Sequence, residues 1–114
     1  MPIHLKRVYE PAAAGDGLRV LVDRLWPRGL SKAVARVDLW EKEIAPSTAL
    51  RQWFDHDPAR WAEFRERYTD ELRANPAVAA FAARIGTHRA TLLYGAKSTD
   101  CNHAIVIKEF LEKP

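Results

Sequence analysis

Two stretches of the chain carry residue types suited to holding an anion, and each sits where a strand gives way to another element. The first is Gly95-Ala96-Lys97-Ser98-Thr99-Asp100, between an apolar run and a helical pattern. In open α/β sheets ligands bind outside the carboxyl ends of strands, and a helix N-terminus favours negative charge. Lys97 adds a positive charge to that loop, while Ser98, Thr99 and Asn102 add directed hydrogen bonds. The same residues also make an ordinary capped connection in which Lys97 is solvated and Asp100 closes the helix. No phosphate-loop glycine pattern decides between the two readings.

The second stretch is Asp23-Arg24-Leu25-Trp26-Pro27-Arg28-Gly29. Side chains alternate along a strand, so Asp23 and Arg24 face opposite ways. A buried arginine needs a partner, because an unpaired buried charge costs several kcal/mol or more. Arg24 and Arg28 can grip a carboxylate or phosphate bidentately, with Trp26 as a stacking surface. The competing reading is a structural ion pair of Asp23 with one arginine beneath a packed Trp26. His56, in Asp55-His56-Asp57 just before a helix, is the candidate for proton transfer, since an imidazole titrates near neutrality.

Other chemistries find less support. The four histidines and Cys101 show no HxxxH or HExxH spacing, and Cys101 and His103, two apart on a helix, point different ways, so no metal site is expected. Cys101 near a helix start can be nucleophilic, yet no phosphatase-type arginine follows it, and a small buried hydrophobe is the preferred reading. With one cysteine there is no internal disulfide.

These residues must be positioned by a chain of 114 residues, enough for a single domain. Hydrophobic residues make up 47% and charged residues 29%, values of an ordinary globular protein. No apolar run approaches the ~20 residues of a membrane span, and the N-terminus lacks the long apolar stretch of a secretory signal, so a cytosolic protein is expected. The net charge of +3 is spread along the chain with no basic tail.

Ile3 to Val8 and Leu18 to Leu25 read as strands, with Val34 to Trp40 either a short strand or irregular. Three helices follow. Ser47 caps one carrying Leu50, Trp53 and Phe54 on a face; Asp57-Pro58 opens another from about Pro58 to Ala74; Asn75-Pro76 starts a third ending near Gly86. Glu63 and Arg67 are spaced to pair on the outside of the middle one. Ala90 to Ala96 reads as the central strand, and the last helix runs from about Cys101 to Glu112 with Thr99 or Asp100 as cap. The fold class is α/β, a short mostly parallel or mixed sheet flanked by helices.

DRLWPRG, EIAPS with LRQWFDHD, the WAEFRERYTDEL helix and TLLYGAKSTDCNHAIV together resemble the YeaO-like proteins, a bacterial and archaeal family named as a domain of unknown function, number 488 in its series. The resemblance runs from Lys6-Arg7-Val8-Tyr9 to the last helix and implies one domain over residues 1–114. It implies that Arg24, Trp26, Pro27, Arg28, Gly29, Ser47, His56, Tyr68, Lys97 and Asn102 match positions of the family pattern, and it supplies no reaction. Longer relatives carry a cysteine-histidine-arginine motif that this chain lacks, so no cysteine mechanism is carried over.

The expected ligand site is therefore Arg24, Trp26, Arg28, Ser47, Tyr68, Lys97, Ser98 and Asn102, with His56 as the catalytic candidate. The expected partner is an anionic small molecule bearing phosphate or carboxylate, bound by a monomer or small homo-oligomer; whether the protein is an enzyme of acid-base or hydrolytic type stays open, and no cofactor is indicated. The alternatives are a nucleic-acid-binding or regulatory module, disfavoured by Glu63, Glu66, Asp70 and Glu71 on the most exposed helix, and a protein-interaction module.

Overall fold

The computed structural model describes residues 3–112. Four strands form one sheet in the order β1-β4-β2-β3: β1 Ile3–Arg7, β2 Leu18–Leu21, β3 Leu39–Trp40 and β4 Ala90–Tyr94. Every pairing is parallel, with Leu5 opposite Leu92, Val20 opposite Leu92 on the other side, and Val20 opposite Leu39. The expected choice between mostly parallel and mixed thus resolves to parallel throughout, and every strand ends at the same edge. β4 is the innermost and most buried strand, as its ATLLY run implies.

The strand alternation builds two cores. Ile3, Val20, Val22, Ala90, Leu92 and Tyr94 face the larger one, which α2 Thr48–Phe54, α3 Trp61–Ala74, α4 Pro76–Ile85 and α5 His103–Glu112 complete with Phe54, Phe64, Phe81 and Ile107. Val8, Leu21 and Leu93 face the smaller one, covered by the short α1 Lys32–Ala35 together with Trp26, Leu30 and Val37. Among the described residues no helix is long and apolar enough to cross a membrane.

The helix starts follow their capping chemistry. Ser47 accepts from the Leu50 amide and Asn75 from the Ala77 amide. Asp57 accepts from the Ala59 amide, but Pro58–Arg60 forms a 3-10 turn ahead of α3 rather than its first turn. Glu63 and Arg67 do pair on the outside of α3.

Three further expectations need correction. β2 stops at Leu21, not Leu25: Val22 still donates to Leu93, after which Asp23 turns to the Gly95 amide and the chain leaves the sheet. Val34 to Trp40 is neither one strand nor irregular. Ser31 caps α1, Arg36 ends it in a left-handed conformation at φ 50°, and Leu39–Trp40 then joins β2. The last helix begins at His103, and its cap is Asn102, whose Oδ1 accepts from the Ile105 amide; Thr99 and Asp100 lie in the preceding turn.

Candidate functional site

Because the strands are parallel, the loops leaving the adjacent strands β2 and β4 open at one edge, and a cavity of about 260 Å³ lies between them. Asp23, Arg24 and Leu25 enter it from the end of β2, and Gly95 and Ala96 from the end of β4. Cys101, Asn102 and His103 close it at the start of α5. Ala45, Pro46, Arg51, Phe54 and His56 come from around α2, and Phe64 from α3. Phe54 and Phe64 stack at 4.3 Å between ring centres, giving the floor a rigid aromatic surface.

Asp23 ties the two loops together. Its Oδ2 accepts from the Gly95 amide at 2.9 Å, and a Cβ on Gly95 would approach that oxygen to the same 2.9 Å, so the site is built around a glycine there. Its Oδ1 lies 3.0 Å from His103 Nε2, which is also 3.1 Å from the Val22 carbonyl oxygen. Both neighbours are acceptors, so Nε2 carries a proton. The competing reading, an Asp23–arginine ion pair, does not form among the described residues.

Arg24 instead reaches the Ala45 and Pro46 carbonyls through Nη2, at 3.2 and 3.4 Å. Its Nε is buried with no hydrogen-bond partner, and Asp23 Oδ1 is likewise buried without an aligned donor. Two adjacent unmatched polar atoms are uncommon in a native interior and concentrate where a structure serves something other than its own stability. Arg51 lines the cavity from α2, and neither arginine enters an ion pair among the described residues.

Of the residues singled out from the sequence, Arg24, His56 and Asn102 meet at this cavity. His56 stands at its rim, exposed, in a left-handed conformation at φ 54°. Asn102 is buried and donates to the Ser98 carbonyl while capping α5. The other candidates lie elsewhere. Trp26 belongs to the small core on the far face, where its Nε1 donates to the Leu30 carbonyl and its ring meets Trp40 edge-on. Arg28 is exposed on the turn that Gly29 makes at φ 76°, and among the described residues only its carbonyl is engaged, by the Tyr9 hydroxyl.

Ser47 caps α2 and binds both oxygens of Glu71, a structural link. Tyr68 is wholly buried with its hydroxyl on the Ile44 carbonyl; burial, reinforced by Glu71, pushes its pKa well above the ordinary value and keeps it neutral. Lys97 and Ser98 are exposed outside the cavity wall, and Ser98 Oγ accepts from the Asp100 and Cys101 amides. Two lining residues able to carry charge, Arg51 and His103, lie outside the site expected from the sequence. Arg51 lies three positions before Phe54 and so shares its helix face. Local spacing offers His103 only as a metal ligand, whereas its partner is an aspartate 80 residues away in sequence.

Two larger hollows are less suited to a ligand. A groove of about 840 Å³ between α3 and α5 is bridged by Arg65 and Glu109 at 2.6 Å, which neutralise each other. A third, of about 360 Å³, lies beside Lys6, Asp16 and Arg89, where Lys6 is already paired with Asp16. Among the described residues no cluster of three or more histidine, cysteine or acidic side chains has the geometry to hold a metal.

Comparison with known proteins matches the sequence over nearly its whole length. Residues 2–114 match the family model described as "Inactive DUF488-N3 subclade". The chain is 47% identical over 112 residues to "Uncharacterized protein YeaO" of Escherichia coli, covering 97% of each chain. It is 39% identical over 109 residues to "Uncharacterized protein Rv3073c" of Mycobacterium tuberculosis, covering 96% of this chain and 92% of that one. No solved structure matches. The chain therefore belongs to the YeaO-like DUF488 family, within the subclade whose description calls it inactive.

Proposed function

We propose that this protein binds a small anionic molecule in the cavity at the carboxyl ends of β2 and β4, and that binding rather than turnover is its role. The observation that carries the reading is Arg24. It is a half-buried guanidinium lining a cavity, held only by two carbonyls, with a buried Nε left unmatched. A carboxylate or phosphate arriving from solvent supplies the negative partner that the protein itself withholds. Arg51 at the same cavity adds a second positive charge. The word "inactive" in the family description favours binding without catalysis.

A catalytic variant of this reading has one observation in its favour, the 3.0 Å approach of Asp23 Oδ1 to His103 Nε2. In that case His103, rather than the unheld His56, is the group that moves a proton. A nucleic-acid role is less well supported, since Glu63, Glu66 and Asp70 are exposed along α3.

Thermal shift against a panel of nucleotides, sugar phosphates and carboxylates tests the proposal. A ligand at 100 times its Kd stabilises the folded state by about 2.7 kcal/mol, a readily measured rise in Tm. The effect should fall sharply in Arg24→Met and Arg51→Met. An unchanged response in both variants, or none in the parent protein, would refute it.

A further inference from the structure

Resting on the anion-binding reading, we infer that the ligand is a monocarboxylate with a compact apolar body, not a phosphate ester. A protein that takes a phosphate at a loop-helix junction offers it a nest of free backbone amides. Here several amides of the loop and of the first turn of α5 are already engaged within the protein. Gly95 donates to Asp23, Asp100 and Cys101 donate to Ser98, and Ile105 donates to Asn102. Arg24 and Arg51 supply the positive charge at the cavity, and their planar forks match the two coplanar oxygens of a carboxylate.

Charge points the same way. The Asp23 carboxylate forms part of the cavity wall, so a dianion placed against Arg24 meets like charge that a monoanion meets at half strength. Leu25, Pro46, Phe54 and Phe64 give the wall an apolar part, beside the polar His56, Asn102 and His103. Leu25, 66% exposed, stands at this cavity and offers apolar surface to what enters it. The volume, about 260 Å³, falls below the roughly 300–1,000 Å³ of pockets for drug-sized molecules, which limits the body to a phenyl ring or a branched alkyl group.

The experiment is titration of the isotope-labelled protein, following the amide signals of Gly95 and Asn102, with phenylacetate, isovalerate, acetate, phenylacetamide and phenyl phosphate. Phenylacetate or isovalerate should move both signals in a saturable way. Acetate, phenylacetamide and phenyl phosphate should each bind at least about tenfold more weakly than the better of the two, tenfold being 1.4 kcal/mol. Arg51→Met, a change at an exposed position, should weaken the carboxylate at least about tenfold with the fold intact; Arg24→Met should do the same. Phenyl phosphate binding as tightly as the carboxylates would overturn the inference while leaving the anion-binding reading in place. Acetate matching phenylacetate would remove the apolar body. Phenylacetamide matching phenylacetate, or no response to any anion, would overturn the inference and the reading beneath it.

Discussion

Asp23 has two oxygens facing two different elements, and that division makes it both a structural and a site residue. Oδ2 holds the Gly95 amide, fixing the loop after β4 against the end of β2, while Oδ1 lies beside the His103 ring on α5. Removing a carboxylate that serves a partly buried amide leaves the donor unpaired, a cost of about 1–3 kcal/mol. Asp23→Ala should lower unfolding stability by that amount in urea titration and abolish ligand response at Gly95. Asp23→Asn, which keeps an acceptor for the Gly95 amide, should recover most of the stability. Arg24 was readable in the sequence as a charge needing a partner. What local spacing does not contain is where the strand bends. The turn after Val22 sends Arg24 to the cavity and carries Trp26 and Arg28 away, so three residues that look like one cluster on paper separate in the fold.

At the level of elements, most of the helix punctuation was legible because capping is local chemistry. Ser47, Asp57 and Asn75 each accept the amide hydrogen bond their sequence context implies. The exceptions are α1, only four residues long and too short for periodicity, and α5, whose start slips to His103 because Ser98 binds the Asp100 and Cys101 amides in a turn of its own. Ser47 shows what the sequence leaves out. Beyond capping α2 it donates through Oγ to Glu71 on α3 at 2.6 Å, a contact between residues 24 apart. A cap is worth typically ~1 kcal/mol and a hydrogen bond to a charged group about 1.5–3 kcal/mol. Ser47→Ala should therefore cost about 2–4 kcal/mol in urea unfolding, whereas Ser47→Asp, which keeps a cap but places a carboxylate against Glu71, should not restore it. Because Ala45 and Pro46, just ahead of this cap, are the carbonyl partners of Arg24, Ser47→Ala should also weaken binding at the cavity.

Across the whole molecule, the parallel sheet is covered unequally: four helices on one face, and only α1 with the Trp26 loop on the other. The thin side is closed by a buried charge cluster. Arg19 is 4% exposed; its Nη1 reaches Asp16 at 2.5 Å, and its Nε and Nη2 reach the Ala35 carbonyl at the end of α1. Lys6 on β1 reaches the same carboxylate at 3.2 Å, so Asp16 joins β1, β2 and α1. Burial alone would raise the Asp16 pKa, but the Ala13 amide, Lys6 and Arg19 outweigh it and hold the carboxyl below its ordinary value of 3.8. A carboxyl with a lowered folded-state pKa binds protons more weakly in the folded chain than in the unfolded one. Its stabilisation is therefore complete above 3.8 and is lost as the pH falls from there through the folded value. Asp16→Asn leaves Arg19 with carbonyls but no counter-charge, a loss of roughly 3–5 kcal/mol at neutral pH. Urea unfolding at neutral pH and in steps below 3.8 should show the parent protein losing stability toward the variant as acid is added. The variant itself should lack this component of the acid dependence. A gap between the two that stays constant through that acid range would mean that the buried cluster is not what fastens the thin face of the sheet.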